Sequence, residues 1–203
     1  MTRGKSFGIL IIVIIVIAVA VYGTVVVRRG FSARDNPSWL ETTLATKARS
    51  MSVPSHAKNL KNPIPNTPEN VKEGEEHWAD HCATCHANNG NGDTVIGKNL
   101  YPKAPDMRLA DTQNLTDGEL YYTIENGIRL SGMPAWGQGG DDDEASWKLV
   151  LFIRHLPKLT ADEEQHMESL NPKAPGENEE EKEEQEFLNG QSPQGNQSKR
   201  MKH

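Results

Sequence analysis

The feature that rules out most folds is a five-residue run, Cys82-Ala83-Thr84-Cys85-His86. Its cysteines are the only two in 203 residues. Two thiols separated by two residues at the end of a helix match two vinyl groups on one edge of a porphyrin. Each thiol can add to a vinyl group and form a thioether. The next residue then sits beneath the ring, where its imidazole can bind iron. The run is therefore read as a site for one covalently attached haem c, held by Cys82 and Cys85 and ligated by His86. Competing uses of C-x-x-C are weaker. A zinc ribbon needs a second ligand pair, and only His77 and His81 lie near enough in sequence to provide one. A dithiol redox centre needs a βαβ surrounding, which the pattern lacks.

An electron-carrying haem iron needs a sixth ligand. Met133 is the candidate, forty-seven positions after His86 in Gly132-Met133-Pro134-Ala135-Trp136. Methionine is ordinarily core filler. Flanked by Gly and Pro, outside any helical pattern and downstream of the attachment run, it reads as a ligand. Met51, Met107 and Met167 sit in less suitable contexts. His81 precedes the cysteines on the same helix and is a poor axial candidate. His77 and His81 are expected on exposed helix faces, and His56, His155, His166 and His203 at the surface.

The chain divides unevenly. Residues 1–6 form a short N-terminus, expected in the cytoplasm. Residues 7–27 carry no charge. At ~1.5 Å per residue they span about 31 Å as a helix, enough for a bilayer core of ~30 Å. A cleaved signal peptide ending at Ala18-Val19-Ala20 is the rival, but the apolar run continues through Val25, Val26 and Val27. Flanking cations do not settle orientation: Arg3 and Lys5 stand on one side, Arg28, Arg29 and Arg34 on the other. Residues 28–68 read as a proline-containing spacer with a short helix near Ser38–Arg49, capped by Ser38 with Glu41 as its partner. Residues 69–159 hold the only mixture suited to a packed core. Residues 160–203 form an acidic extension, helical at most over Asp162–Leu170 and otherwise expected to be disordered. The net charge of −6 lies mostly there. No basic face accompanies the core, so nucleic acid is not an expected partner.

Within 69–159 three helices are expected. The first covers Glu69–Ala83 and contains Gly74, costly inside a helix by ~1 kcal/mol. The second begins at a Thr116/Glu119 capping box and ends near Gly127. The third covers about Asp143–Leu156, with Trp147, Val150, Leu151 and Arg154 at helical spacing.

Together, Cys82–His86, the Gly90–Asp93 loop, Leu120-Tyr121-Tyr122 with Asn126-Gly127-Ile128, and Gly132–Trp136 resemble a class I cytochrome c, and more narrowly the membrane-anchored bacterial mono-haem kind. The resemblance covers about Glu69–Pro157. It implies an all-α fold whose first and last helices cross beside the haem, so that Gly74 and Trp78 would meet the helix bearing Trp147 and Leu151. It implies a loop carbonyl, from Pro102 or Pro105, accepting a hydrogen bond from His86. Propionate donors are to be sought among Arg108, Arg129, Tyr101, Tyr122 and Trp136. Ala87 departs from the pattern, since many relatives have Gly after the histidine. Haem c attachment in this family follows export, which implies a periplasmic domain on a bacterial inner membrane with its N-terminus cytoplasmic. His/Met ligation suits outer-sphere electron transfer. The expected function is a non-enzymatic carrier moving single electrons between redox protein partners at the membrane. The alternatives are a fixed haem subunit of a larger respiratory complex, or a haem-based catalyst or sensor with labile Met133.

Overall fold

The computed structural model describes residues 2–172 and residue 188. The expectation of a disordered tail therefore falls, beyond residue 172, outside the described residues. Those described are helices joined by loops, with no strand among them.

Helix α1, Thr2–Arg29, is the apolar segment. Its stretch Phe7–Arg29 is long and apolar enough to cross a membrane, and none of it packs inside the protein. Helix α2, Trp39–Ser52, starts at Ser38, whose hydroxyl accepts from the Glu41 amide at 3.2 Å. Half of the capping box forms. The Glu41 carboxylate turns away and accepts the Tyr101 hydroxyl at 2.5 Å. Helix α3, Ser55–Asn59, is a single short turn.

Helix α4, Pro68–His77, begins with Thr67 as N-cap and Pro68 in the first turn, where a missing N–H costs nothing. It runs without a break into a π-helical turn, Trp78–Cys82, and then helix α5, Ala83–His86. Short α6 covers Ala110–Gln113. Helix α7, Asp117–Asn126, has the full Thr116/Glu119 capping box and ends at Gly127. Helix α8, Glu144–His155, is capped by Asp143. Helix α9, Ala161–Glu168, carries a second capping box, from Thr160 and Glu163.

The core forms where α4 crosses α8. A Cβ on Gly74 would collide with the Lys148 carbonyl and lie 3.1 Å from Phe152 Cβ. Glycine is therefore required there by the approach of a backbone. Trp78 and Phe152 fill the seam, with ring centroids 5.6 Å apart. Gly74 and Trp78 thus meet the helix bearing Trp147 and Leu151, as expected. Gly74 meets Lys148 and Phe152, while Trp147 points to α7 and stacks on Tyr121 at 4.0 Å and 17°. Arg154, on the inner side of α8, reaches the start of α7. Its Nη1 donates to the Gln113 carbonyl at 2.7 Å, its Nε to Asp117 at 3.0 Å, and its Nη2 to the Leu115 carbonyl.

The packed unit extends past residues 69–159 at both ends. Val53 and Ala57 are buried, and Leu60 and Ile64 pack against the core. The Thr116 hydroxyl donates to the Lys58 carbonyl at 2.9 Å, and the Asn62 amide to the Trp147 carbonyl at 2.9 Å. A Cβ on Gly118 would collide with the Ala57 carbonyl. At the other end, Met167 of α9 is fully buried and Leu170 packs beside it. The prolines between residues 54 and 68 break helices but do not prevent docking.

Candidate functional site

The π-helical turn comes just before the attachment cysteines. Its Ala83 N–H donates to the carbonyl of Trp78, five residues back. The wider turn accommodates one extra residue, and such turns gather at functional sites. Trp78 and Ala79 stay buried in the seam, while Cys82, Cys85 and His86 follow at the helix end. Both cysteines are free and half-buried. Burial, with a smaller contribution from Cys85, pushes the Cys82 thiol up to about 12. Burial also raises Cys85. Burial therefore favours the S–H form of both.

His86 is the better-framed residue. Burial lowers its pKa, which favours the neutral imidazole a metal needs. The Trp78 ring lies 5.7 Å from its own at 44°. The Trp78 indole N–H donates to the Ala87 carbonyl at 3.1 Å, and the Gly92 amide to the His86 carbonyl at 2.9 Å. His86 Nδ1 is buried without a hydrogen-bond partner. The expected bond to Pro102 or Pro105 is thus not formed. A buried ring nitrogen without a partner is costly. Ala87 itself takes φ 61° and ψ 160°, a region that is nearly glycine-only.

Met133 sits half-buried in the loop after α7. Backbone bonds fix this loop: Ile128 N–H to the Met133 carbonyl at 3.1 Å, Trp136 N–H to Ile124 at 3.1 Å, and Gly137 N–H to Glu125 at 3.1 Å. The Met133 amide also donates to the Ser131 hydroxyl at 3.1 Å. Three residues on, the Trp136 ring meets His81 edge-on, centroids 5.2 Å apart. His81 directly precedes Cys82, so the Trp136 end of the Met133 loop meets the turn that leads into the two cysteines.

His77 and His81 are half-buried instead of exposed. Their rings lie 4.6 Å apart, and burial, then the neighbouring His81, lowers the pKa of His77. Spacing of four on one helix face brings them together, a signal present in the sequence. His81 Nδ1 lies 3.2 Å from Asp80 but lacks hydrogen-bond geometry. Among the described residues no three His, Cys, Asp or Glu side chains are grouped to hold a metal ion, so Cys82, Cys85, His77 and His81 are not drawn together as one cluster. Two propionate-donor candidates are engaged elsewhere: Arg108 chelates Asp106 at 2.7–2.9 Å, and Tyr101 bonds Glu41. His155, read as a surface residue, is half-buried and bonds Glu163 at 2.9 Å.

Free paired thiols, a buried imidazole held towards its neutral form, and a thioether on a braced loop are residue types that fit a covalent haem. The all-helical fold and this set define a class I c-type cytochrome domain, preceded by one helix apolar enough to span a membrane. Residues 69–153 match the family described as cytochrome c oxidase, cbb3-type, subunit III. The cbb3-type cytochrome c oxidase subunit FixP of Azorhizobium caulinodans is 33% identical over 104 residues, covering 47% of this chain and 30% of that relative. The chain thus spans less than a third of the relative's length. These likenesses, with the apolar N-terminal helix, support a membrane-anchored class I c-type cytochrome, a family whose cofactor is haem c.

Proposed function

We propose that one haem c is attached through Cys82 and Cys85, with His86 and Met133 as axial ligands, and that the chain passes single electrons as a subunit of a membrane oxidase of the cbb3 type. The haem supplies a one-electron iron couple. The protein's residues hold the ligands still, so that little reorganisation accompanies each transfer. Trp78 braces the His86 turn through the Ala87 carbonyl, and the Ser131 hydroxyl with the Ile128 amide braces Met133. The periplasmic side is the compartment for this domain, because attachment follows export in this family.

The observation that carries the haem reading is the pair of free thiols, Cys82 and Cys85, at the end of a helix with the half-buried His86 directly after them. Expression of the full chain in a host that matures c-type haem tests it. One haem per chain by pyridine haemochrome, and a near-red ferric band lost in Met133→Ala, are the expected results. Ready carbon monoxide binding by the reduced wild type would count against Met133 and favour a catalyst or sensor.

Subunit membership is favoured over a freely swinging carrier by the spacer. Val53 to Ile64 are docked, and Tyr101 and Lys103 bond Glu41 and Asn36. The connection free of helix before α2 is short, residues 30–38. Purification from gently solubilised membranes separates the two: a subunit elutes with oxidase partners at constant ratio, a carrier elutes alone.

A further inference from the structure

Helix α2 has no buried residue, although it lies between the spanning helix and the docked arm. At ~100° per residue, Leu40, Leu44 and Met51 fall within about 40° of one another. They are 48%, 59% and 84% exposed. Glu41, which bonds Tyr101, lies on another side of the helix, so the contact with the cytochrome domain leaves this stripe open. Trp39 at the helix start and Phe31 in the preceding connection are also exposed.

We propose that α2 is an interfacial helix that lays its Leu40–Leu44–Met51 stripe into the bilayer surface beside α1, with anionic lipid as the preferred surface. Three observations favour lipid as the occupant. The stripe is continuous with the membrane segment: the nine residues 30–38, at ~3.3–3.6 Å each when extended, keep Trp39 within about 30 Å of the end of α1. The local charge is opposite to that of the whole chain. Residues 28–52 carry Arg28, Arg29, Arg34, Lys47 and Arg49 against Asp35 and Glu41, a net charge of +3 in a protein of net charge −6. Such cations are drawn to anionic headgroups. Lys47 lies on the stripe itself, where its methylene stem runs along apolar surface while the ammonium reaches headgroup level. The exposed Trp39 and Phe31 stand where aromatic side chains anchor to a membrane interface. Burying the stripe would fix the height and tilt of the cytochrome domain above the membrane.

The test uses the full chain in nanodiscs. A nitroxide is placed by Leu44→Cys on the stripe, or by Arg49→Cys on the opposite face. Accessibility to oxygen is compared with accessibility to a water-soluble nickel complex. The expected oxygen-to-nickel ratio at position 44 exceeds that at 49 several-fold in discs containing anionic lipid, and falls towards it in zwitterionic discs. Equal ratios at both positions in every lipid would overturn the proposal. So would shielding of position 44 only when an oxidase partner co-purifies, since that result assigns the stripe to a protein. The parent chain without an engineered cysteine is treated with the same label. If it takes label, Cys82 or Cys85 is free and the haem reading fails. The test on α2 is then repeated with both replaced by serine, so the two failures are read separately.

Discussion

The α4–α8 seam and the Met133 loop are both well determined, but by different forces. In the seam, Trp78, Phe152, Val150 and Ile153 are buried, and Gly74 lets one backbone touch another. In the loop, Met133 is half-buried and Trp136 is 43% exposed, and hydrogen bonds back to the end of α7 set the shape. Apolar burial is strong and non-directional, so it suits a scaffold. Hydrogen bonds contribute less each but fix direction, which suits the loop proposed to present the Met133 sulfur. A buried link joins the regions: the Ser146 hydroxyl of α8 donates to Glu125 at 2.6 Å, and the Glu125 carbonyl accepts from Gly137.

The largest expected effect lies in the seam. Phe152→Ala should destabilise the protein by about 3–5 kcal/mol, measured by urea unfolding, while leaving the near-red band of the surviving folded fraction unchanged. A shifted band would mean that the seam and the loop are not independent. Gly74→Ala should cost about 1–3 kcal/mol by overpacking, despite the ~1 kcal/mol by which alanine outranks glycine in a helix. A stabilised variant would show that the two backbones can separate at little cost.

The same division explains what the sequence reveals. Capping signals are local, and Thr116/Glu119 and Ser38 begin helices where the pattern places them. The crossing at Gly74 is legible because only a close approach explains a glycine there. The π-helical turn at Trp78–Cys82 has no side-chain signature, and the inward turn of His77 and His81 is marked only by their spacing of four. The docking of Val53, Ala57 and Met167 is not legible in the sequence. Single apolar residues in polar or proline-rich stretches show no periodicity, and their burial is decided by distant partners. The attachment run and Met133 stand out by motif. The absence of a bond to His86 Nδ1 follows from loop geometry that spacing does not encode.

Two smaller changes act beside the proposed ligands. Ala87→Gly removes a strained alanine whose conformation costs of order 1–3 kcal/mol, against about 0.5–1 kcal/mol for the freedom glycine loses. A net gain of roughly 1 kcal/mol is expected in unfolding midpoint, with an unchanged spectrum. A loss would mean that the Trp78 bond to the Ala87 carbonyl depends on the methyl. Ser131→Ala should cost about 0.5–1 kcal/mol. Its effect should appear mainly as a weaker near-red band, because the hydroxyl braces Met133 and touches nothing in the seam. A stability loss comparable to that of Phe152→Ala would erase the distinction between the two regions.

The smallest effects test how α9 closes the seam, through two carboxylates that titrate in opposite directions. Burial raises Glu163, but the Thr160 amide and hydroxyl and then His155 outweigh it and leave its pKa below the ordinary 4.5. A depressed carboxylate stabilises the fold above its unfolded pKa and loses that contribution as pH falls through the folded value. Glu75, almost fully buried beneath α9, is raised mainly by burial, with His166 opposing. Its contribution is present below the unfolded pKa and is lost as pH rises through the folded value. Glu163→Gln should therefore destabilise by a few tenths to about 1 kcal/mol near pH 7, with the difference shrinking below pH 4.5. Glu75→Gln, which mimics the protonated acid, should match wild type in acid and exceed it near neutrality. Urea midpoints at pH 4 and pH 7 decide. If both variants shift in the same direction with pH, α9 is not held by this pair of opposed carboxylates, and the buried Met167 alone must hold it.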